Sequence, residues 1–152
     1  MERNVQEHDY GWPPGFPANC PPADAKDASG TVYRWVASDP PTKGDFQPHV
    51  LLYPDREWSN TVVKHGCSEL CMAWGCSVLA FANPVEARTE LRRLAASVSR
   101  FRGMKVARGK LGPGLGKMKH TPSQHRNGES HHTLWLWHGV DPSPCFAVMR
   151  ET

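Results

Sequence analysis

Basic and glycine residues are concentrated in residues 100–126, RFRGMKVARGKLGPGLGKMKHTPSQHR. The segment carries eight Lys or Arg, five Gly and no Asp or Glu, in a chain whose formal net charge is +3, so the remainder is net negative. Within it, GPGLGK has the composition of a phosphate-binding loop, in which glycines let backbone amides approach an anion and a lysine adds charge. It lacks the Walker pattern, because Leu111 and Met118 stand where that pattern requires Gly and Ser or Thr.

This basic stretch predicts a site for the phosphate groups of a nucleotide or a nucleic acid. Loops of such length in compact domains are often functional, and a tryptophan on the strand that follows can stack on a base. The alternative is a surface loop whose lysines only keep the protein in solution. The candidate ligand-binding residues are Lys110, Lys117, Lys119, His120, Arg126 and Trp135.

Five histidines fall within the nineteen residues 120–138. Neutral imidazole near pH 7 serves as acid, base or metal ligand, so such a group raises the expectation of a site. His132 and His138 share a face of the predicted strand but stand about 20 Å apart, too far to bind one metal ion. A pairing of His132 with His120 or His125 is the alternative for a metal, and a purely structural role is the alternative for each histidine.

Three cysteines, Cys67, Cys71 and Cys76, lie within ten residues. They lack the second pair that a zinc knuckle supplies, and their apolar neighbours favour buried thiols over a zinc site completed by a histidine. The chain has five cysteines, and no secretory signal is evident, so we expect reduced thiols rather than a disulfide framework. No residue is assigned as a metal ligand.

Three polar residues occur in an order that indicates a second chemistry. Arg34 lies on an early predicted strand, Ser77 begins a middle one, and Glu129 or Glu151 comes late. This order is loosely similar to the Arg, Ser and Glu arrangement of ADP-ribosyltransferases, a resemblance that covers these three residues only. It implies that Arg34 and Ser77 hold NAD and that a glutamate directs transfer. The candidate catalytic residues are Arg34, Ser77 and His132.

The pattern of apolar residues predicts the elements that position these groups. Strands are expected at 31–37, 49–53, 61–64, 76–81, 104–111, 131–140 and 145–150, the last two as a hairpin, with a loop over 112–130. Two helical turns are expected at 68–74, and Asn83, Pro84 and Glu86 form the start of a helix. The predicted fold is α+β, a mainly antiparallel sheet of five or more strands packed by one long amphipathic helix at about 84–101.

Residues 1–30 are rich in proline, which excludes an interior strand or helix and favours extended or turn conformations. Tyr10, Trp12 and Phe16 are apolar anchors within this segment. We therefore predict a Pro-rich N-terminal wrap, residues 1–30, packed on a single α+β domain formed by residues 31–152. A mobile arm is the alternative.

Length and composition limit the class of protein. With 152 residues, 39% of them hydrophobic, the chain suits one domain with one core. No apolar run approaches the roughly 20 residues that span a membrane, and the charged N-terminus is not a secretory signal, so we expect a cytoplasmic protein with no membrane partner. The pI of 8.7 is modest for a dedicated nucleic-acid binder.

Three functions compete on these grounds. The first is binding of a phosphate-bearing ligand, a nucleotide or a nucleic acid, through the basic Gly-rich loop next to the His- and Trp-bearing strand. The second is a small nucleotide- or NAD-using transferase. The third is a protein-interaction module stabilised by a Cys and His metal site. NAD and zinc are therefore the cofactors to test, and a protein partner stays open.

Overall fold

The computed structural model describes residues 11–98, 101, 103–122 and 128–149. Within these ranges the chain forms nine strands and three α-helices. The strands are β1 (Lys26–Asp27), β2 (Gly30–Val36), β3 (Val62–Lys64), β4 (Cys67–Ser68), β5 (Cys76–Leu79), β6 (Lys105–Leu111), β7 (Gly116–His120), β8 (His131–Leu136) and β9 (Phe146–Val148). The helices are α1 (His49–Leu52), α2 (Glu69–Ala73) and α3 (Pro84–Ser97), with short 3-10 helices at Lys43–Phe46, Pro113–Leu115, Gly128–Ser130 and Ser143–Cys145.

Seven of the strands form one antiparallel sheet in the order β1-β7-β8-β5-β2-β6-β9, and β3 pairs with β4 in a separate hairpin. The sheet curls, so that Leu134 on β8 and Phe146 on β9 join one apolar cluster although they lie on well-separated strands. The predicted α+β class and the antiparallel sheet of five or more strands are confirmed.

The side chains of β2 alternate between the two faces of the sheet. Val32 and Val36 lie in the cluster enclosed by the curl, whereas Tyr33 packs in a second cluster on the opposite, outer face. Residues 31–37, predicted as a strand, thus form β2 over Gly30–Val36. The enclosed cluster, here called the inner core, comprises Ala28, Val32, Val36, Phe46, Cys76, Val78, Ala107, Leu111, Leu134 and Phe146.

Helix α3 covers part of the outer face and begins as its local sequence predicts. The Asn83 side chain accepts a hydrogen bond from the Glu86 amide at 2.8 Å, and proline occupies the first turn. Leu91 and Leu94 are buried against the outer face. The helix ends at Ser97 rather than near residue 101, and Val85 is 67% exposed, so the buried stripe is shorter than the periodicity predicts.

The strand predicted at 49–53 is wrong, because these residues form the single helical turn α1. The amides of Leu51 and Leu52 both donate to the Pro48 carbonyl, at 3.0 and 3.2 Å. Proline also follows at position 54, and prolines at both ends remove donors that a sheet strand needs. The apolar side chains of this turn are exposed rather than buried in the sheet.

The predicted C-terminal hairpin is also wrong. Strand β9 pairs with β6, and β8 lies between β5 and β7. Both edges of β8 are occupied because residues Gly116–His120, expected in a loop, form β7 instead. Met118 packs against the inner core, and Lys117 and Lys119 alternate with it, but flanking glycines and lysines conceal this short alternation in the sequence.

Residues 11–28 make contacts with distant parts of the chain. The Trp12 ring stacks on Trp137 with centroids 3.8 Å apart, and Phe16 meets the edge of Trp74 at 5.5 Å. β1 then pairs with β7 at the edge of the sheet. Tyr10, the third predicted anchor, lies outside the described residues.

A disulfide joins Cys20 of this segment to Cys71 on α2, 51 residues away. The expectation of reduced thiols is therefore wrong for these two cysteines. The spacing of Cys67, Cys71 and Cys76 does not indicate this disulfide, because the partner of Cys71 is Cys20 in the proline-rich segment. Cys67 and Cys76 are buried free thiols, as expected, and Cys145 is free and exposed.

Candidate functional site

A cavity of about 510 Å³ opens where β5 begins and β8 ends. Its volume falls within the range of about 300–1,000 Å³ that is typical of small-molecule sites. The lining is mainly apolar and combines the sheet, the N-terminal segment and the turns that follow β2 and β8. The lining residues are Pro13, Pro14, Lys43, Phe46, Gln47, Pro48, Leu51, Trp74, Gly75, Cys76, Leu134, Leu136, Trp137, His138, Gly139, Val140 and Pro142.

Inner-core side chains form the floor of the cavity. Cys76 and Leu134 are paired positions on β5 and β8, and Phe46 packs beside them. Burial raises the pKa of the Cys76 thiol, so the floor carries no charge. At Gly75 a Cβ would lie 2.5 Å from Thr133 Cγ2, so glycine is needed where the chain enters β5 this close to β8.

Prolines and tryptophans form the walls. Pro13 and Pro14 follow Trp12, whose ring is fixed by stacking on Trp137, itself 4% exposed. Trp74, which follows α2, also lines the cavity and contacts the Phe16 ring of the N-terminal segment. Because proline and stacked indole rings have little conformational freedom to lose, a ligand entering this space meets a largely preformed wall.

Three polar side chains surround the opening, namely Lys43, Gln47 and His138. All three residues are exposed. Within the part of the chain that the structure describes, none of the three side chains has a hydrogen-bond or ion-pair partner. Their donors and acceptors are therefore available at the mouth of an apolar cavity.

Asp45 fixes the 3-10 helix that carries Lys43 and Phe46 to the cavity. Its carboxylate accepts hydrogen bonds from the amides of Ala37 and Thr42, each at 2.9 Å. Burial raises the pKa of this carboxyl, but the hydrogen bonds from the two amides outweigh burial and the net pKa is lowered. The charged carboxylate is thus part of the folded turn.

Arg34, predicted to be catalytic, ties this turn to the sheet. Its Nε donates to the Asp45 carbonyl at 2.9 Å and its Nη1 to the Ser77 carbonyl at 2.6 Å, and its guanidinium lies 5.5 Å from the centre of the Phe46 ring. Strands β2 and β5 share a single paired position. The guanidinium therefore bridges strands that few backbone hydrogen bonds join.

The side chains of Arg34 and Ser77 lie on opposite faces of the sheet. Arg34 is two residues from Val32 and from Val36, which are inner-core residues, so its side chain is on the inner face. Ser77 is adjacent in sequence to two inner-core residues of β5, so its side chain is on the outer face. The third predicted catalytic residue, His132, is on the inner side of β8, opposite Val78. The structure does not bring these three side chains to one surface.

Ser77 is instead joined to His131, which sequence reasoning does not select. The Ser77 Oγ lies 2.8 Å from His131 Nε2, and His131 Nδ1 lies 2.9 Å from the Thr121 carbonyl oxygen. Alternation places His131 on the face opposite His132, but the pairing of β5 with β8 is needed to bring it to the serine. That pairing has no local signal in the sequence.

Of the histidine pairings considered for a metal, that of His120 with His132 brings the two rings together. His120 and His132 are paired positions on β7 and β8, and their ring centroids are 4.7 Å apart. His132 Nδ1 is 3.0 Å from the Ser130 carbonyl. Burial and the neighbouring His120 lower the pKa of His132. His125 lies outside the described residues.

The predicted phosphate-binding residues do not converge. Lys117 pairs with Asp27 at 2.9 Å and Lys119 with Asp24 at 2.5 Å, and the bond from Lys119 lowers the pKa of the Asp24 carboxyl. Lys110 is on β6, with β8, β5 and β2 lying between it and β7.

The remaining members of that set lie elsewhere. Trp135 is fully buried, and its Nε1 donates to the Cys71 carbonyl at 2.8 Å. His120 is on the inner side of β7, beside His132. Arg126 lies outside the described residues.

Glycines of this basic segment make close contacts within the fold. At Gly116 (φ +155°) a Cβ would lie 1.9 Å from the Trp135 carbonyl oxygen. At Gly109 it would lie 2.5 Å from the Phe146 ring. These two glycines therefore permit β7 and β6 to approach their neighbours, which accounts for part of the composition that suggests a phosphate loop.

Over the described ranges, no three His, Cys, Asp or Glu residues are grouped in a way that could hold a metal ion. Cys71 is in the disulfide, so it is not a thiolate ligand. Burial raises the pKa of the Cys67 thiol to about 11, and metal ligation requires the thiolate.

In the same part of the chain, no helix is long and apolar enough to cross a membrane. Comparisons with protein-family models, with curated proteins and with solved structures find no match to this chain.

Proposed function

We propose that the protein binds a small, mainly apolar organic anion, with the apolar body in the cavity and the anionic group at its mouth. The observation that carries the proposal is the 510 Å³ cavity with an uncharged floor and a rim of unpaired polar side chains. Apolar lining with a few polar groups is the usual make-up of a small-molecule site.

The lining favours a flat or branched body of the ligand. The lining includes the aromatic residues Trp74 and Trp137 and the partly exposed aliphatic residues Leu136 and Val140. Each CH₂ group that leaves water for such surroundings contributes about 0.8 kcal/mol. The Cys76 thiol is neutral and the lining contains no acidic residue, so no negative charge lies inside to attract a cation.

The rim favours a carboxylate or another small anionic group. Lys43 carries a positive charge at the mouth, and Gln47 and His138 add hydrogen-bond donors beside it. A carboxylate bound there can remain partly hydrated, so the rim sets orientation and selectivity more than affinity.

Isothermal titration calorimetry with a panel of aromatic and branched aliphatic monocarboxylates and their neutral amides tests this function. Leu51 and Leu52 provide a matched pair, because both are exposed on α1, at 56% and 46%, but only Leu51 lines the cavity. Leu51→Asp should weaken the best carboxylate about tenfold or more, since it removes apolar contact and adds a like charge. Leu52→Asp should leave the affinity unchanged.

Lys43→Ala should weaken carboxylates about two- to fivefold and the neutral amides less, as expected for an exposed ion pair. Lys64→Ala, an exposed lysine of β3 outside the cavity, is the control. Binding by no member of the panel, or equal effects of the two leucine variants, would contradict the proposal. Binding of NAD, ATP or a short oligonucleotide that is lost on Lys117→Ala and Lys119→Ala would support the phosphate-ligand proposal instead.

A further inference from the structure

The Ser77 and His131 side chains form a hydrogen-bonded pair on the outer face of the sheet, away from the cavity. His131 Nδ1 lies 2.9 Å from the Thr121 carbonyl oxygen and 3.0 Å from the Thr121 hydroxyl. Because the carbonyl can only accept, we assign the ring proton to Nδ1, with the Thr121 hydroxyl as a second acceptor. His131 Nε2 is then the acceptor of the 2.8 Å hydrogen bond that the Ser77 hydroxyl donates. This is the tautomer in which an imidazole can remove a proton from serine.

The sheet holds both members of the pair in place. The Thr121 amide donates to the His131 carbonyl at 3.0 Å, and the Thr121 hydroxyl lies 2.8 Å from that of Thr133. Ser77 is the paired position of Thr133, which makes it the diagonal neighbour of His131 across β5 and β8. Arg34 holds the Ser77 carbonyl from the other side.

Serine, imidazole and an acceptor that orients the imidazole are the parts of an activated nucleophile. Here the acceptor is a backbone carbonyl rather than a carboxylate. Ser77 and His131 are each partly exposed, so the hydroxyl is not sealed in the core.

We propose that Ser77 is a nucleophile activated by His131 and that it takes the acyl group of small activated esters. The Ser77 Oγ forms a bond to the ester carbonyl carbon, the bond from that carbon to the leaving oxygen breaks, and the hydroxyl proton passes to His131 Nε2 and then to the leaving alkoxide. Water then attacks the acyl carbon, the bond from that carbon to Ser77 Oγ breaks, and the proton from water passes through His131 Nε2 to Oγ, which restores Ser77. The sum is ester plus water giving acid plus alcohol.

A fluorophosphonate probe tests the nucleophile directly on the full-length protein. The Ser77 Oγ would form a bond to phosphorus as the phosphorus–fluorine bond breaks, fluoride leaves, and His131 takes the proton. Intact mass and peptide mapping should show one adduct, at Ser77. Ser77→Ala should abolish the adduct, and His131→Gln should slow its formation about 10²- to 10⁴-fold, with folding of both variants checked by circular dichroism.

Ser143→Ala, at a partly exposed serine of the turn before β9, is the matched control and should label like the wild-type protein. The rate of p-nitrophenyl acetate hydrolysis should be equal for the wild-type protein and Ser143→Ala, lower for His131→Gln, and lost in Ser77→Ala. A folded wild-type protein that gives no adduct at Ser77 would overturn the proposal. Labelling of a folded His131→Gln protein at the wild-type rate would overturn the role of His131, and with it the activated pair.

Discussion

Side chains of the sheet form hydrogen bonds with residues that are far away in sequence. Arg34 donates to the Ser77 carbonyl, and the indole of Trp135 donates to Cys71. Arg34 and Ser77 are selected from the sequence by residue type and by their order along the chain. The partner of each depends on strand order, and nothing in the alternation of β5 or β8 encodes that Ser77 meets His131.

Lowering the pH should destabilise the protein through His132. Burial, first, and the neighbouring His120 lower the pKa of His132 below its ordinary value of 6.5, so the folded state favours the neutral ring. As the pH falls below about 6.5, the unfolded state binds the proton more readily, and the free energy of unfolding decreases until the folded-state pKa is passed.

Thermal melts of the wild-type protein and His132→Asn between about pH 8 and 5 measure this effect, with the pH range set by the ordinary histidine pKa. The melting temperature of His132→Asn should fall less with decreasing pH than that of the wild-type protein. His138→Asn, at an exposed histidine without a partner among the described residues, should retain the wild-type slope. Equal slopes for all three proteins would argue against a buried neutral ring at position 132.

At the scale of elements, the sequence predicts helix starts well, because the capping residues and the amides that they bind lie in the same short segment. The Asn83, Pro84 and Glu86 signature fixes the start of α3, and Ser68 caps α2 by accepting from the Cys71 amide at 2.9 Å. Elements defined by long-range contacts are missed. β7 is a strand because β1 and β8 pair with its two edges, although the glycine and lysines of its own sequence favour a loop.

Gly116→Ala should disrupt the entry to β7. A methyl group there would lie 1.9 Å from the Trp135 carbonyl oxygen, so β7 and β8 would have to separate. We expect a loss of about 3 kcal/mol or more in the free energy of unfolding, measured by urea denaturation. Gly114→Ala is the control, because its added Cβ has no atom within 4 Å. Similar losses for both would show that the β7–β8 contact is not the cause.

At the scale of the whole molecule, residues 11–28 contact three parts of the chain that are distant in sequence. The disulfide from Cys20 to Cys71, the stacking of Trp12 on Trp137 and the pairing of β1 with β7 all connect residues 11–28 to the domain. Apolar anchors and prolines in the sequence indicate that this segment packs, but not where. The position of this segment also shapes the cavity, because Pro13 and Pro14 form part of the cavity wall.

Removing the disulfide should therefore affect both stability and binding. A crosslink between residues 51 positions apart contributes about 4 kcal/mol by restricting the unfolded chain. Cys20→Ser with Cys71→Ser should lower the free energy of unfolding by about that amount and weaken the ligand that the cavity binds. Cys145→Ser, at an exposed free thiol, should change neither. Identical urea curves with and without reductant would contradict the prediction.

The order of strands has a consequence for how copies of this protein meet one another. The sheet ends in β1, two residues long and made of Lys26 and Asp27, and in β9, three residues long. A short or charged edge strand gives an incoming chain few backbone groups to pair with. Among the longer strands, β8 is paired with β5 and with β7 over most of its length. Its backbone groups are therefore not open to an added strand, which limits growth of the sheet into an aggregate at this position.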